Sequence, residues 1–183
     1  MGLVADGDTV DGDKTDAGTA DADADPVEVA KQILVRQLSM SAKSRHQLAQ
    51  VLAKREVPRA AAAVALDRFT ELGYIDDAAF ARAWVESRQR TRGLATTALR
   101  RELYDKGIDR ELIEVVMAEF ADDDRDHAAA VALVERKLRS MSGVADDVAT
   151  RRLVGMLSRK GYGPGVAFGV VREVLGARRS SSG

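Results

Sequence analysis

The residues best suited to binding chemistry in this sequence are arginines, five of which fall within a window of 14 positions. They are Arg88, Arg90, Arg92, Arg100 and Arg101, and no Asp or Glu interrupts the window. A guanidinium group is planar, permanently charged and able to hold a phosphate or carboxylate through two hydrogen bonds. The cluster therefore predicts a surface that binds nucleic-acid phosphates or an acidic groove of a protein. The alternative is an ordinary solvated face of a helix.

A second set of basic residues lies towards the C-terminus: Arg136, Lys137, Arg139, Arg151, Arg152, Arg159 and Lys160. The near-zero net charge of −1 conceals this excess, because residues 1–26 contain eight Asp and one Lys. That leader carries −7, so the remainder of the chain carries +6. We expect a basic folded body preceded by an acidic tail.

No combination of residues typical of an enzyme active site is present. The two histidines, His46 and His127, have no second His or Cys ligand near them in sequence. The Asp groups at 76–77, 122–124 and 146–147 fall where helices are predicted to begin, and helix capping explains them. A phosphate-binding Gly-Lys-Ser/Thr loop is absent. We expect no enzymatic activity, no metal and no cofactor.

The acidic leader resembles a calcium loop only superficially, at Asp21–Asp25. Pro26 stands where such a loop needs glycine, and Gln32 stands where it needs glutamate. Residues 1–26 have almost no large apolar side chains, so their burial could not offset the loss of chain entropy on folding. We expect a disordered tail without a bound ion.

Composition also limits where the protein works. The sequence has no cysteine, so disulfides are excluded and a reducing compartment is the natural setting. No stretch approaches the roughly 18 uninterrupted apolar residues of a membrane span, and the N-terminus lacks a secretory signal. These features predict a cytoplasmic protein with no membrane association.

Apolar and basic positions recur with a period of about 50 residues, which is typical of a repeat protein. The four positions of the first repeat are Leu48, Leu52, Arg55 and Val57; they recur as Leu99, Leu103, Lys106 and Ile108, and again as Leu153, Leu157, Lys160 and Tyr162. Helix-forming residues dominate and β-branched runs are scarce. The predicted fold is all-α: three tandem three-helix repeats in an elongated, curved array in which neighbours extend each other's core.

The predicted boundaries follow from this period and from the glycines that end helices. They are a disordered acidic tail at 1–26, repeats at 27–73, 74–121 and 122–177, and a frayed end at 178–183. Within the first repeat, Ser44 and Gln47 match a capping box. Asp76 or Asp77 should cap the first helix of the second repeat.

Three features of the turns and aromatic residues carry further expectations. The turn that holds Gly107 and Gly161 in the later repeats has Glu56 in the first, which suggests a different turn there. Trp84 is more consistent with a core position than with a base-stacking platform, because it shares a helical stripe with Phe80. Tyr74 and Tyr162 follow turn glycines and are weak candidates for half-exposed base stacking.

A string of spaced motifs identifies a family: Gly73–Asp77, Phe80–Ala81, Arg90–Gly93, Arg101–Leu103 and Lys106–Ile108. Together they resemble the central repeat of the RecX family, bacterial regulators that bind the RecA recombinase. The resemblance extends more weakly over residues 27–175. It implies a non-enzymatic regulator of homologous recombination and DNA repair. Such a protein would lodge in the groove of the RecA–single-stranded DNA filament and inhibit its ATPase and strand-exchange activities.

We expect the second repeat, with the third beside it, to supply the contacts to that filament. The candidate residues are Arg88, Arg90, Arg92, Arg100, Arg101, Lys106, Arg151, Arg152, Arg159 and Lys160. The protein would contact single-stranded DNA either directly or only through RecA, and it would bind duplex DNA weakly. Nothing resembles a sustained heptad seam, which favours a monomer.

Two other functions compete with this one. A three-helix unit with a tight second turn resembles a helix-turn-helix reader of DNA sequence. However, acids and apolar residues at the starts of the third helices, where such readers place groups that contact base edges, argue against this function; these starts are Pro58–Ala61, Asp109–Leu112 and Pro164–Val166. A protein-interaction scaffold without any nucleic-acid role ranks third, because the folded part has an excess of basic residues.

Overall fold

The computed structural model describes residues 25–180, except for the side chain of Asp123. All regular structure in that range is α-helical, which confirms the predicted fold class. The helices are α1 Pro26–Met40, α2 Arg45–Lys54, α3 Arg59–Glu71, α4 Asp77–Arg92, α5 Thr96–Asp105, α6 Arg110–Glu119, α7 Asp123–Leu138, α8 Asp146–Arg159 and α9 Pro164–Ser180. The expected acidic tail lies outside the described residues for all but its last two positions.

The helices form three consecutive units, each with its own apolar core: α1–α3, α4–α6 and α7–α9. The leucines that define the repeat are fully buried at 0% exposure in every unit: Leu48, Leu52, Leu99, Leu103, Leu153 and Leu157. Each unit is too small to bury a large core alone. Stacking on a neighbour therefore matters for stability as well as for shape.

The predicted caps are present at the helix starts. Ser44 and Gln47 form the full capping box, with both side chain-to-backbone bonds at 3.2 Å. Asp76 caps α4 by accepting from the backbone N–H of Ala79 at 2.8 Å. Asp77 is used differently, because its carboxylate accepts from the backbone N–H of Arg45 in the first repeat at 2.8 Å. One Asp of this pair begins a helix, and the other ties two repeats together.

The turn after the second helix has the same conformation in all three repeats. Glu56, Gly107 and Gly161 adopt left-handed φ angles of 60°, 73° and 91°. In each repeat the following residue donates its backbone N–H to the leucine carbonyl five positions earlier, at 3.1, 3.2 and 3.2 Å. The expectation of a different turn at Glu56 was wrong. Glutamate accepts the left-handed conformation at some cost in backbone strain.

The reason for glycine in the later repeats is the neighbouring repeat. A Cβ atom at Gly107 would lie 2.2 Å from Cγ of His46, at the start of α2. At Gly161 it would lie 2.6 Å from Cβ of Ala98, at the start of α5. The side chain of Glu56, in contrast, is exposed. Glycine therefore marks the positions where a turn docks against the preceding repeat.

Hydrogen bonds hold the first junction. Ser44, which is 0% exposed, uses its hydroxyl twice: it accepts from the backbone N–H of Gln47 and donates to the carbonyl of Lys106 at 2.6 Å. Lys106 is the residue that ends α5, so its carbonyl has no partner within that helix. The buried Ser44 hydroxyl thus satisfies the end of one helix while it caps the start of another.

The second junction repeats this arrangement with a backbone donor. Ala95, which precedes α5, donates its N–H to the carbonyl of Lys160 at 2.9 Å, and Lys160 ends α8. The methyl group of Ala95 is 5% exposed and belongs to the core of the third repeat. Thr96 adds a side-chain bond, donating its hydroxyl to Asp126 Oδ2 at 2.8 Å. Each junction therefore joins the start of the second helix of one repeat to the end of the second helix of the next repeat.

The C-terminal helix is longer than expected. α9 continues through Ser180, whereas residues 178–183 were predicted to be frayed. Arg179 lies 3.7 Å from Asp146 Oδ2, at the start of α8, and Ser180 donates its hydroxyl to the carbonyl of Gly176 at 3.2 Å. Contacts with an adjacent helix extend the last turn. Residues 181–183 lie outside the described range.

A comparison of two glycines tests the docking of the turn. Gly73 and Gly107 have φ angles of 75° and 73°, but a Cβ atom at Gly73 would meet nothing within 4 Å. We expect G73A to lower the free energy of unfolding by about 1–2 kcal/mol, the cost of a left-handed L-residue. G107A should lower it by a further ~1–3 kcal/mol, because its methyl group overpacks against His46. Urea unfolding of both variants gives the difference, and equal decreases would show that the approach to His46 imposes no constraint.

Candidate partner-binding site

The five predicted arginines do not form a free basic patch, because three of them are paired with acids. Arg88 Nε lies 3.0 Å from Glu102 Oε2, and Arg92 Nη1 lies 3.6 Å from Glu102 Oε1. Arg100 binds Glu114 through Nε at 3.1 Å and Nη2 at 3.2 Å. Both glutamates lie beyond the acid-free window in sequence, on α5 and α6. In the folded protein, both glutamates lie beside arginines of the window and pair with them.

Arg90 and Arg101 are the two exposed arginines of that window that form no ion pair with any described residue. Arg90 lies in the last turn of α4, and Arg101 lies on the exposed side of α5. Their guanidinium groups remain available to an external anion. A partner can therefore bind these two arginines without breaking an ion pair inside the protein.

Trp84 organises the paired part of the window. Its indole Nε1 donates to Glu102 Oε2 at 2.8 Å, and its ring stacks on Phe80 with centroids 5.8 Å apart. Arg88 lies 4.0 Å from the ring centroid, and the Lys106 ammonium lies 4.5 Å from it. Trp84 packs against the core of the second repeat, which confirms its prediction as a core residue. Its ring holds cations in place rather than offering a face to a base.

These residues form what we call the Glu102 cluster: Trp84, Arg88, Arg92, Glu102 and Lys106. The Glu102 carboxylate pairs with Arg88 and Arg92, and Lys106 lies over the Trp84 ring, so three cations and one acid give the cluster a net charge of +2. Such a half-exposed, pre-ordered group of cations loses little side-chain entropy when it binds an anion. Of these five residues, only Arg88 and Arg92 lie in the acid-free window that the sequence analysis singled out.

A second group of cations lies between the second and third repeats, and we call it the junction cluster: Arg90, Arg92, Arg136 and Lys160. The Lys160 ammonium donates to the backbone carbonyl of Arg92. Arg90 and Arg136 line one small cleft together with Gly93 and Leu133. Burial lowers the pKa of Lys160, and the positive charges of Arg136 and Arg92 lower it further. Lys160 is therefore close enough to Arg92 and Arg136 to be repelled by both, and Arg90 shares the cleft with Arg136.

Tyr162 seals the same junction from the third repeat. It is 5% exposed, and its hydroxyl donates to the carbonyl of Gly93 at 3.3 Å. Burial raises the pKa of Tyr162 to about 12, with a smaller contribution from the negative charge of Asp126. The expectation that Tyr162 is half exposed was therefore wrong, because the junction covers its ring. Tyr74, the other candidate stacker, is 64% exposed and lies beside Phe69.

The remaining predicted residues lie along α8 and share no hydrogen bond or ion pair with either cluster. Arg151 Nη2 lies 3.4 Å from Asp147 Oδ2, with both side chains exposed. Arg152 and Arg159 are exposed and form no ion pair within residues 25–180. Arg136, in contrast, was not a candidate, yet folding brings it to Arg90. The repeat alignment could not show this, because it compares equivalent positions rather than neighbours.

The histidines hold ordinary polar positions. His46 is within 2.9 Å of the Gln50 side chain, and His127 is within 3.0 Å of Glu173. Over the described residues, no three His, Cys, Asp or Glu side chains are grouped closely enough to hold a metal ion. No helix in that range has the length and apolar character of a membrane span.

Comparison with known proteins gives a single family. Sequence models of the RecX three-helix domains match in chain order: the first over residues 30–69, the second over 76–117 and the third over 123–171. The chain is similar to the regulatory protein RecX of Streptomyces coelicolor, at 50% identity over 82% of this chain and 80% of the relative. It is 39% identical to that of Mycolicibacterium vanbaalenii, over 90% and 92% of the two chains.

Solved structures show the same fold. The crystal structure of RecX from Lactobacillus salivarius matches with a TM-score of 0.71 at 17% identity, and covers 81% of this chain and 96% of its own. A second crystal structure of regulatory protein RecX matches with a TM-score of 0.68 at 20% identity, over 78% and 70% of the two chains. At these identities the match concerns the fold alone.

The environment of Tyr162 can be tested by its ionisation. The folded pKa of about 12 lies above the ordinary value of 10.0, so the protein favours the neutral phenol. Its contribution to stability is complete below pH 10 and is lost as the pH rises towards 12. A spectrophotometric titration at about 295 nm, where phenolate absorbs, should show one phenolate that forms near pH 12, and Y162F should lack it. If Y162F removes an earlier step and leaves the last one, the hydroxyl is not buried in the junction.

Proposed function

The chain belongs to the RecX family of regulatory proteins, and we propose that it regulates the RecA recombinase by binding the RecA–single-stranded DNA filament. The observation that carries this proposal is a pair of cationic clusters, the Glu102 cluster within the second repeat and the junction cluster between the second and third repeats, which the docked turn of the third repeat holds together. A filament repeats its own surface along its length. Several modest contacts at fixed spacing on such a partner give combined affinity without a deep pocket.

The finer proposal is that bound protein inhibits the ATPase and strand-exchange activities of the filament. A rigid array that contacts more than one subunit would oppose the subunit movements that accompany each catalytic cycle. Its site comprises the predicted residues: Arg88, Arg90, Arg92, Arg100, Arg101, Lys106, Arg151, Arg152, Arg159 and Lys160. The protein would work as a monomer in the cytoplasm.

No observation favours the alternative of a DNA-sequence reader. The start of a recognition helix has to present donors to base edges. In the second repeat that position is occupied by Asp109, whose carboxylate accepts the backbone N–H groups of Glu111 and Leu112 at 2.8 and 3.3 Å. A carboxylate there repels the DNA backbone. Arg110, the exposed first residue of α6, follows this carboxylate directly, so the start of the helix carries no net positive charge.

The two exposed and unpaired arginines, Arg90 and Arg101, give the sharpest test. Wild-type protein, added well below the RecA concentration, should inhibit ATP hydrolysis by RecA on single-stranded DNA. R90A/R101A should need about tenfold more protein for the same inhibition, because two bonds to phosphate or carboxylate can no longer form. Neither substitution removes an internal ion pair, so circular dichroism should be unchanged.

R59A/R110A is the matched control, since it removes the same charge from exposed positions at the starts of α3 and α6 that form no ion pair with described residues. It should inhibit like the wild type. Undiminished inhibition by a folded R90A/R101A would remove these residues from the site. Absence of inhibition by the wild type at equimolar RecA would overturn the proposed function.

A further inference from the structure

The cleft between the second and third repeats gathers positive charge from both sides. Arg90, from the end of α4, and Arg136, from the last turn of α7, line the cleft itself. Arg92 and Lys160 do not line it but are adjacent, since the Lys160 ammonium donates to the backbone carbonyl of Arg92. The cleft that Arg90 and Arg136 share also includes Gly93 and Leu133 and has a volume of about 160 Å³. It is open to solvent, and both arginines are exposed.

The acids around this cleft are already engaged. Arg92 is 3.6 Å from Glu102, which also accepts from Trp84 and Arg88. Asp126 lines an adjoining cleft beside Arg90, but its carboxylate accepts the Thr96 hydroxyl at 2.8 Å. Arg90, Arg136 and Lys160 form no ion pair with described residues. The charges of Asp126 and Glu102 offset only part of the positive charge, so the junction keeps more cations than acids.

We propose that this cleft is a phosphate site that contacts the backbone of single-stranded DNA directly, so that one phosphodiester bridges the second and third repeats. A guanidinium from each repeat, Arg90 and Arg136, would bind the same anion, and the nearby Lys160 ammonium would add its charge. The bound anion would neutralise the repulsion within the junction. The inference rests on the proposed function only in its choice of single-stranded DNA as the polymer.

A phosphate backbone fits this cleft better than an acidic protein segment does. Its floor is made of helical residues, among them Ala129, Ala132 and Leu133, whose backbone groups are already bonded within α7. The backbone of α7 therefore offers an extended peptide no free groups with which to pair its main chain. A phosphodiester needs none, because its charge and acceptors lie on the phosphate itself.

Binding should also stiffen the junction. Lys160 ends α8, and its carbonyl accepts the Ala95 N–H across the junction at 2.9 Å. An anion that holds Arg136 to Arg90 would oppose separation of the repeats and protect that N–H from exchange. Single-stranded DNA therefore becomes a ligand that couples the two repeats.

The test uses the full chain without RecA. Fluorescence anisotropy of a labelled thymidine oligonucleotide, over a range of salt concentrations, gives affinity and salt dependence. R90Q/R136Q should bind about tenfold more weakly at moderate salt. Its slope of log K against log salt should fall by about 0.7 for each phosphate that the variant no longer neutralises. R59Q/R110Q removes the same charge elsewhere and should stay within about twofold of the wild type.

Hydrogen exchange of the Ala95 amide gives a second measurement, because its rate reports on opening of the junction and not on the net charge of the variant. Saturating oligonucleotide should slow this exchange in the wild type and in R59Q/R110Q, but not in R90Q/R136Q. Equal decreases of affinity in the two double variants, or unchanged Ala95 exchange in the wild type, would overturn the proposal. So would tighter binding of a polyglutamate peptide than of the oligonucleotide, which would assign the cleft to an acidic protein. Because RecA is absent, failure here leaves the ATPase test of the proposed function intact.

Discussion

The whole array depends on one close approach, between the turn of one repeat and the start of the second helix of the repeat before it. At Gly161 no atom larger than hydrogen fits, since a Cβ atom would meet Ala98 at 2.6 Å. That approach brings the carbonyl of Lys160 within reach of the Ala95 N–H, and the Tyr162 hydroxyl within reach of Gly93. Without it each small unit would lose a neighbour, and the cations of the two repeats would separate.

The same approach explains the electrostatics of the candidate site. Docking brings Lys160 and Arg136 to the end of α4, where Arg90 and Arg92 already lie; it also brings Asp126 beside Arg90, but the cations still outnumber the acids. Charges of one sign are expensive to hold together in a half-buried cleft. A protein that needs only to stack its repeats would gain from a further acid there. The incompletely neutralised junction is therefore the strongest structural argument for an external anion, and it complements the Glu102 cluster beside it.

The local rules predicted much of this fold. The period of buried leucines, the capping box at Ser44 and the cap at Asp76 depend on residues close in sequence, and the structure confirms them. Glu56 shows the limit of such rules. A local interpretation of glycine predicted a change of turn, whereas glycine at the equivalent positions is required by contacts with the preceding repeat, at His46 and Ala98.

The candidate site was less predictable for the same reason. The absence of acids near Arg88 and Arg100 in sequence suggested free cations. In the structure, however, Glu102 of α5 pairs with Arg88 of α4, and Glu114 of α6 pairs with Arg100 of α5. Arg136 became a candidate only once α7 was placed against α4. Charge patterns in sequence describe composition, and pairing is decided by packing between elements.

The most direct test of the account is the affinity of the RecA–single-stranded DNA filament for two alanine variants that alter no charge. Gly161 and Gly143 both have left-handed φ angles in the third repeat, but only Gly161 contacts another repeat. If docking holds the cations in register, G161A should bind the filament about tenfold more weakly than the wild type, and G143A should bind almost normally. Wild-type affinity in a folded G161A whose Ala95 amide exchanges faster would contradict the account, because the repeats would then bind independently.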